Sequence, residues 1–291
     1  MGAVLIVNPR ASNVSEEVVE RVLAALPAGV EVLRTGAAGD ATALAREREA
    51  SAEAIYVLGG DGTYNEVLNG VTGPVPLGFL PGGGTSVLPR ALGLGRDPVA
   101  AARLAAGGVE RAIGLGRVNG RRFSFNAGVG FDAELVRRID GRGRAADGRR
   151  PGDAAFVREA IGLVTASRGR FPEALEIEDV GRAAFVLVAN CYPYTYAGRL
   201  PVRVARQASF DAGLAVVAPG PVGPLGTLRL IASLVRGAAP RRGLTVLHDV
   251  DRIVVSCDRP MPLQVDGEDL GDVERVVFES EPRAVRALVP G

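Results

Sequence analysis

An aspartate at position 61 stands among three glycines in the stretch YVLGGDGTYNEVLNG. The glycines are Gly59, Gly60 and Gly62. Without side chains, they leave backbone N–H groups accessible to an anion at the start of a helix that the sequence predicts from about Thr63. The stretch is not a P-loop, because G-x-x-x-x-G-K-[ST] is absent and the chain contains no lysine. Asp61 would repel a phosphate, so it indicates either a bound Mg²⁺ or a substrate hydroxyl that gives up its proton. In the structural alternative, Asp61 only caps its own helix.

A second glycine cluster follows in FLPGGGTSVLPRALGL. Gly82, Gly83 and Gly84 end a predicted strand, and Thr85 and Ser86 could donate hydrogen bonds to phosphate oxygens. Alone, the cluster is equally compatible with a flexible turn. Two glycine-lined strand ends in one sheet favour a nucleotide-sized cleft.

The elements that must position these residues alternate between strand and helix. Strands are predicted at AVLIVNP, VEVLRT, AIYVLGG and PLGFLPGGG, with helices between them. Ser15, Asp40 and Asp97 are predicted helix N-caps, the last followed by Pro98. This order predicts an α/β fold with a doubly wound, mostly parallel sheet, whose ligands lie beyond the carboxyl ends of the strands.

From about residue 118 the pattern changes to short apolar runs separated by turn signals, typical of a β-rich sandwich domain. We therefore predict an α/β nucleotide-binding domain over 1–117 and a β-rich domain over 118–291. The C-terminal tail is expected to be able to return to the first domain. GRVNGRRFSF predicts a hairpin with an Asn-Gly turn, and residues 141–152 predict a loop.

Composition excludes several classes of function. The 291 residues carry a formal net charge of +1, which gives no reason to expect nucleic acid as a partner. Two cysteines form no disulfide framework, and a single histidine, His248, cannot support histidine-ligated metal chemistry. No apolar run is long enough to span a bilayer, so we expect a cytoplasmic protein.

These motifs together resemble the diacylglycerol-kinase-like lipid kinases, a family that includes bacterial lipid kinases and sphingosine kinases. VLGGDGTYNEVLNG is similar to the family's G-G-D-G-T-x-N-E-V-x-N-G, and FSFNAGVGFDAELV to its N-x-x-G-x-G-F-D segment. IVNPRAS, RTGAAGDATALARE and ANCYPYTYAGRL resemble further segments in the family's order, and PLQVDGEDLG matches the late Q-x-D-G-E. The resemblance covers nearly the whole chain.

The resemblance implies a kinase that transfers the γ-phosphate of ATP to a lipid hydroxyl with Mg²⁺, in a cleft between an α/β and a β-rich domain. Asp61 and Glu268 are the acid–base candidates, and which of them takes the proton stays open. Asp266 would orient this segment or help to hold metal, although DGED also fits a plain hairpin turn. The implied nucleotide-binding residues are Asn8, Arg10, Thr35, Gly59, Gly60, Gly62, Thr63, Asn65, Glu66, Gly84, Thr85 and Ser86. For Glu66, capping or pairing within the fold is an equal alternative.

The sequence also departs from the family. The acidic residue that many members carry after the second glycine cluster is Val87 here, which puts a structural Mg²⁺ site in doubt. This departure suggests one alternative, a nucleotide-binding protein that has lost catalysis. A second alternative is an NAD kinase, because that family also carries a G-G-D-G-T loop, although the N-E-V-x-N-G continuation and the late D-G-E argue against it. The expected partner is a lipid, diacylglycerol-like, at the inner membrane surface, where Arg137–Arg150 is either a solvated loop or a basic lip. A homodimer stays open.

Overall fold

The structure is a computed structural model and describes residues 2–142, 153–197, 200–227, 229 and 243–291. Most of the predicted loop 141–152 therefore lies outside the described residues. Among those that are described, no helix is both long enough and apolar enough to cross a membrane.

The chain divides into two compact units, one of residues 1–115 and 283–291 and the other of residues 116–282. The first unit contains β1 (Val4–Val7), α1 (Glu16–Leu23), β2 (Glu31–Arg34), α2 (Asp40–Arg48), β3 (Ile55–Gly59), α3 (Asp61–Gly70), β4 (Pro76–Pro81), α4 (Val87–Ala91) and α5 (Pro98–Ala106). Then follow β5 (Val109–Val118), β6 (Arg121–Phe123), β7 (Asn126–Val129), α6 (Phe131–Gly141), α7 (Asp153–Ala166), β8 (Leu175–Ile177), β9 (Gly181–Ala183), β10 (Val186–Ala189), β11 (Thr195–Ala197), β12 (Leu200–Val202), β13 (Leu214–Pro219), β14 (Leu244–Val250), β15 (Arg252–Val265) and β16 (Glu268–Val289).

The first unit is built on a parallel sheet in the order β2-β1-β3-β4, with the end of β16 beside β4. All residues of β1 and β3 are buried, and Ile6, Val57 and Leu58 are among those with no exposed surface. Because the strands are parallel, their carboxyl ends meet at one edge of the sheet. The predicted α/β fold with a mostly parallel sheet is confirmed.

Helix ends in the first unit follow the sequence signals in two cases and depart from them in one. Ser15 caps α1 by accepting from Val18 N–H at 3.3 Å, and Asp97 caps α5 by accepting from Ala100 N–H at 2.7 Å. Asp40 is not the N-cap of α2 but its first residue. Its carboxylate reaches back to the N–H groups of Gly36 and Ala37, at 2.7 and 2.8 Å.

The second unit is β-rich, as predicted, and the strands of its sheet pair antiparallel. Its strands follow the order β14-β13-β10-β7-β15-β16, with β8 also paired to β15. Val188, Val216, Val255 and Phe278 are among the buried residues of its core. The predicted Asn-Gly hairpin joins β5 to β6, with Val118 opposite Arg121.

Candidate active site

Asp61 is the first residue of α3, and its carboxylate caps a different helix. Its Oδ1 accepts a hydrogen bond from the N–H of Val87, the first residue of α4, at 2.8 Å. The N-cap of α3 itself is Gly60, which has no side chain to offer. The reading in which Asp61 caps its own helix is therefore wrong. The residue instead ties the two glycine-lined turns together and points its carboxylate across the second one.

The two glycine turns pack backbone against backbone. Gly82 N–H donates to the carbonyl of Gly59 at 2.7 Å. A Cβ on Gly83 would lie 2.7 Å from the Cα of Gly60, a distance that real Cβ atoms do not show. Gly84, by contrast, is exposed, and a Cβ there would meet nothing within 4 Å. The cluster is therefore more than a flexible turn, because only glycine permits the close approach at position 83.

A buried tyrosine fixes the ends of β3 and β4 to each other. The Tyr64 hydroxyl lies 2.8 Å from the carbonyl oxygen of Gly59 and 2.7 Å from that of Leu80, so its single hydrogen is shared between them. Burial is the main reason that the pKa of this hydroxyl is raised well above its usual value, with the charge of Asp61 acting in the same direction. Tyr64 is thus a neutral hydrogen-bond donor that joins the two strand ends. Its ring packs edge-on against Phe79, with the ring centroids 5.5 Å apart.

The end of β1 is held by two side-chain contacts to the same region. Asn8 donates from Nδ2 to Thr63 Oγ1 at 2.9 Å, and its Oδ1 accepts from Arg10 N–H at 3.0 Å. Arg10 itself is exposed. Asn13, which the sequence did not single out, donates to the carbonyl of Gly83 at 2.8 Å. Three of the predicted nucleotide-binding residues therefore lie together beside the first glycine turn.

Three of the predicted nucleotide-binding residues have contacts inside the fold. Glu66 accepts from Ala41 N–H at 3.1 Å, at the start of α2, which matches the alternative that this residue caps or pairs. Asn65 is 1% exposed, and its carbonyl accepts from Asn69. Thr35, just after β2, is mostly buried, and its N–H donates to Val7.

Ser86 adopts a left-handed backbone, with φ of 49°, which is uncommon outside glycine. Its hydroxyl donates to the carbonyl of Gly83 at 3.2 Å, and the residue is almost fully buried. Thr85 is partly exposed and its carbonyl accepts from Arg90. Of this pair, Thr85 is the side chain presented towards solvent beside Gly84.

In the second unit, Glu268 follows a two-residue hairpin turn. Val265 pairs with Glu268 across the turn, and both central residues have positive φ, 47° for Asp266 and 79° for Gly267. This is the Asp-Gly turn that the sequence permits. Arg121 donates to Glu268 Oε2 at 3.0 Å, so the carboxylate has a cationic partner while both side chains keep about a third of their surface exposed.

Asp266 is an organising residue of this turn. It is 2% exposed, and its two oxygens accept from the N–H groups of Ser124, Phe125 and Asn126 at 2.7 to 3.3 Å and from the Ser124 hydroxyl at 3.0 Å. A carboxylate with four such donors is well placed to orient the segment. Of its two predicted roles, the contacts favour orientation over metal binding.

A polar cluster around Asp132 escaped the sequence reasoning. Asp132 Oδ2 accepts from the Tyr194 hydroxyl at 2.6 Å and from Gln264 Nε2 at 2.8 Å, and Oδ1 accepts from Ala133 N–H at 2.9 Å. Burial raises the pKa of Asp132 to about 6 against the opposing effect of these bonds. The only sequence signal was the family-like G-F-D string, which did not identify its partners.

The described part of the arginine run is largely paired. Arg137 forms ion pairs with Asp269 at 2.9 Å and Asp272 at 2.7 Å, and Arg138 pairs with Glu134 at 2.8 Å. Arg142 pairs with Glu159. These contacts favour a structural role for this part, and the rest of the run lies outside the described residues.

The N-terminal part of the chain is similar in sequence to known kinases. Residues 2–118 match the family of the diacylglycerol kinase catalytic domain. A diacylglycerol kinase of Bacillus subtilis (strain 168) is 43% identical over 108 residues, which is 35% of this chain and 35% of the relative. The match therefore spans about a third of that curated relative.

Two solved structures share the fold. A crystal structure of a diacylglycerol kinase from Bacillus anthracis str. Sterne has a TM-score of 0.74 at 20% identity, covering 99% of this chain and 96% of the other. An NAD kinase from Archaeoglobus fulgidus in complex with ATP has a TM-score of 0.51 at 13% identity, covering 100% and 94%. At these identities the likeness establishes the fold. The resemblance to diacylglycerol-kinase-like proteins is confirmed, while the individual site residues stay predictions.

Proposed function

We propose, from the premise that residues 2–118 belong to the diacylglycerol kinase catalytic domain family, that this protein is a lipid kinase. It transfers the γ-phosphate of ATP to a lipid hydroxyl, with a diacylglycerol-like acceptor. The observation that carries the proposal is the pair of glycine turns joined by the Asp61 to Val87 hydrogen bond, since it lies inside the segment that the family match covers.

The phosphates of ATP are assigned to the first glycine turn. N–H groups in the first turn of a helix have no partner within it, and the positive end of the helix dipole at α3 attracts anions. Gly60 and Gly62 let the backbone approach a phosphate, and Gly84 and Thr85 offer an exposed surface on the neighbouring turn. Phosphoryl transfer needs positioning and charge neutralisation more than covalent chemistry, and this arrangement supports both.

Asp61 is assigned to the attacking hydroxyl. Its Oδ1 is oriented by Val87 N–H, and the glycines on either side place no side chain over it. A carboxylate held in one direction can accept the hydroxyl proton late in a loose transition state. Glu268 is the second acid–base candidate, and Arg121 partners its charge. The proton is assigned to one of these two carboxylates.

The side chains that the structure describes do not favour a resident metal site. Among the residues that the structure describes, no three Asp, Glu, His or Cys side chains could together hold a metal ion. The buried side chain of Val87 occupies the position at which many relatives carry an acid. Kinases commonly bind Mg²⁺ through one or two carboxylates and the phosphates of the substrate. Mg²⁺ would therefore reach this protein with ATP.

A lipid acceptor requires the kinase to act at a membrane surface. We expect a cytoplasmic protein that makes transient contact with the inner membrane leaflet, where diacylglycerol-like lipids present their hydroxyl. The near-zero net charge gives little general attraction to anionic lipid, so binding should depend on the acceptor itself.

An acceptor panel tests the proposal. Purified protein is incubated with ATP and Mg²⁺ and, separately, with diacylglycerol, a sphingoid base, phosphatidylglycerol or NAD, and ATP consumption is followed. We expect consumption that depends on a lipid, with diacylglycerol most effective. Consumption with NAD alone would instead identify an NAD kinase, and ATP binding without consumption would identify a protein that has lost catalysis.

A further inference from the structure

One glutamine connects the Glu268 turn to a buried polar cluster. Gln264 is 2% exposed, and all its polar atoms have partners. Its Nε2 donates to Asn126 Oδ1 at 2.9 Å and to Asp132 Oδ2 at 2.8 Å, while its Oε1 accepts from Gly267 N–H at 3.0 Å. A single side chain thus joins β7, the start of α6 and the turn before Glu268.

The orientation of this amide is fixed by its neighbours. Two of its four contacts are to oxygens that can only accept, the Asn126 amide oxygen and the ionised Asp132 carboxylate, and one is to an N–H that can only donate. The fourth and longest, at 3.4 Å, is from Nε2 to the Tyr194 hydroxyl, whose own hydrogen goes to Asp132. A flipped amide would place its oxygen against two oxygens and its NH₂ against an N–H. Gln264 therefore has one satisfactory orientation, and that orientation holds Gly267.

Asn126 and Asp132, which hold Gln264, are themselves held by further hydrogen bonds. Asn126 donates from Nδ2 to the carbonyl of Tyr194 at 2.7 Å, and the Tyr194 hydroxyl donates to Asp132 at 2.6 Å. Gly128 leaves the space that the Asp132 carboxylate occupies, since a Cβ there would overlap both of its oxygens. The cluster cannot easily shift, because each member is bound to at least two others.

The other hairpin turn of the same kind shows what this contact adds. Asn119 and Gly120 have φ of 47° and 87°, almost the values of Asp266 and Gly267. Gly120 is exposed, and among the described residues its N–H has no side-chain acceptor. Turn geometry alone therefore does not require the glutamine contact.

We propose that Gln264, anchored by Asn126 and Asp132, is a positioning residue that fixes the Asp266–Gly267 turn and with it the carboxylate of Glu268. The inference rests on the proposed function for the part that Glu268 plays in catalysis. It goes beyond that function by assigning a task to a buried side chain that is not among the predicted ATP-binding or acid–base residues.

The wild-type protein provides the first test, because Gly120 is a matched control within the chain. Amide hydrogen exchange measured by NMR should show Gly267 exchanging at least about tenfold more slowly than Gly120, after correction for intrinsic rates. Equal exchange at the two glycines would overturn the proposal. This measurement needs no variant and cannot fail through misfolding.

Variants provide the second test. Gln264→Met keeps the length of the side chain and removes its hydrogen bonds, so Gly267 exchange should accelerate about tenfold. The rate kcat with ATP and diacylglycerol should fall about tenfold while KM for ATP stays unchanged. Tyr194→Phe removes two bonds from the same cluster, the one to Asp132 and a longer one from Gln264 Nε2 at 3.4 Å. It leaves the bond from Gly267 N–H to Gln264 Oε1 and the two shorter bonds of Nε2, so Gly267 exchange should stay as in the wild type. An equal effect of both variants on Gly267 would overturn the proposal.

The two readouts separate this inference from the proposed function. If the wild type phosphorylates no lipid, the proposed function fails, yet exchange at Gly267 still decides whether Gln264 fixes the turn. If the wild type is active and Gln264→Met accelerates Gly267 exchange without lowering kcat, the turn is held by Gln264 but Glu268 does not depend on it, and the positioning role is wrong.

Discussion

Asp61 has two separable tasks, and a pair of substitutions distinguishes them. Asp61→Asn keeps an oxygen that can accept from Val87 N–H but removes the negative charge and the ability to take a proton. Asp61→Ala removes all three. Val87 is fully buried with the Asp61 side chain in place, and the alanine variant leaves its N–H without this acceptor.

The magnitudes follow from the kind of hydrogen bond. A bond to a charged acceptor contributes roughly 1.5–3 kcal/mol and a neutral bond about 1 kcal/mol, and an unsatisfied buried N–H costs about 1–3 kcal/mol. We therefore expect the free energy of unfolding of the first unit to fall by about 2–3 kcal/mol in Asp61→Ala. In Asp61→Asn it should fall by about 1 kcal/mol, which leaves the unit folded.

In Asp61→Asn, catalysis and ATP binding should respond differently. General acid–base catalysis contributes about 10²–10⁴-fold, so kcat of Asp61→Asn should fall by that factor. The dissociation constant for ATP, measured by calorimetry, should change little. Asp97→Asn is the matched control, since Asp97 also accepts from a backbone N–H at a helix start and its cap survives as asparagine. That variant should turn over like the wild type.

Two outcomes for Asp61→Asn would contradict these roles. If Asp61→Asn transfers phosphate as fast as the wild type, Asp61 only ties the two glycine turns together. If instead Asp61→Asn unfolds as readily as Asp61→Ala, the loss of charge and not the loss of the acceptor determines stability.

Three further predictions test the surrounding structure. Gly83→Ala should lower the free energy of unfolding, measured by urea denaturation, by roughly 1–3 kcal/mol, because its Cβ would meet Gly60. Gly84→Ala should leave this free energy unchanged and raise KM for ATP. Equal stability of the two variants would contradict the packing at Gly83. The pKa of Asp132 is raised from 3.8 to about 6, so the folded state binds this proton more tightly than the unfolded state. The unfolding free energy should then fall by about 3 kcal/mol as the pH rises from about 4 to 6, and Asp132→Asn should remove that part of the slope. Burial opposes the ionisation of Glu281, but Arg122 and Arg117 outweigh it and lower its pKa to about 2. The contribution of ionised Glu281 to the free energy of unfolding should be present above about pH 4.5 and lost as the pH falls towards 2. Glu281→Gln should lower the free energy of unfolding by about 3 kcal/mol at pH 7. The control Asp258→Asn, in the exposed pair with Arg182, should have no measurable effect.

The sequence predicted those features that depend on neighbouring residues. The caps at Ser15 and Asp97 and the two hairpin turns, at Asn119 and Asp266, follow from residue types within a few positions of each other. The alternation of strands and helices likewise predicted a parallel sheet. These features are local, so a single sequence is sufficient to find them.

Contacts between distant residues were not predictable in the same way. Asp61 bonds Val87, 26 positions away, and Gln264 bonds Asp132, 132 positions away. The sequence around Asp61 or Gln264 does not indicate the hydrogen-bond partner, because the fold, and not the spacing along the chain, brings the two residues of each pair together. The position of Asp40 was missed for a different reason. Its contacts are local, but its carboxylate accepts from the N–H groups of Gly36 and Ala37 in the preceding loop, which an N-cap residue does not do.

The central claim is that the γ-phosphate of ATP passes to a lipid hydroxyl with the help of Asp61 and Glu268. The most direct measurement follows label from [γ-³²P]ATP into the organic phase after incubation with diacylglycerol in mixed micelles. The account predicts labelled phosphatidic acid with the wild type and a loss of at least about a hundredfold in both Asp61→Asn and Glu268→Gln. Organic-phase label formed equally well by either variant, or none formed by the wild type with any lipid acceptor, would contradict it.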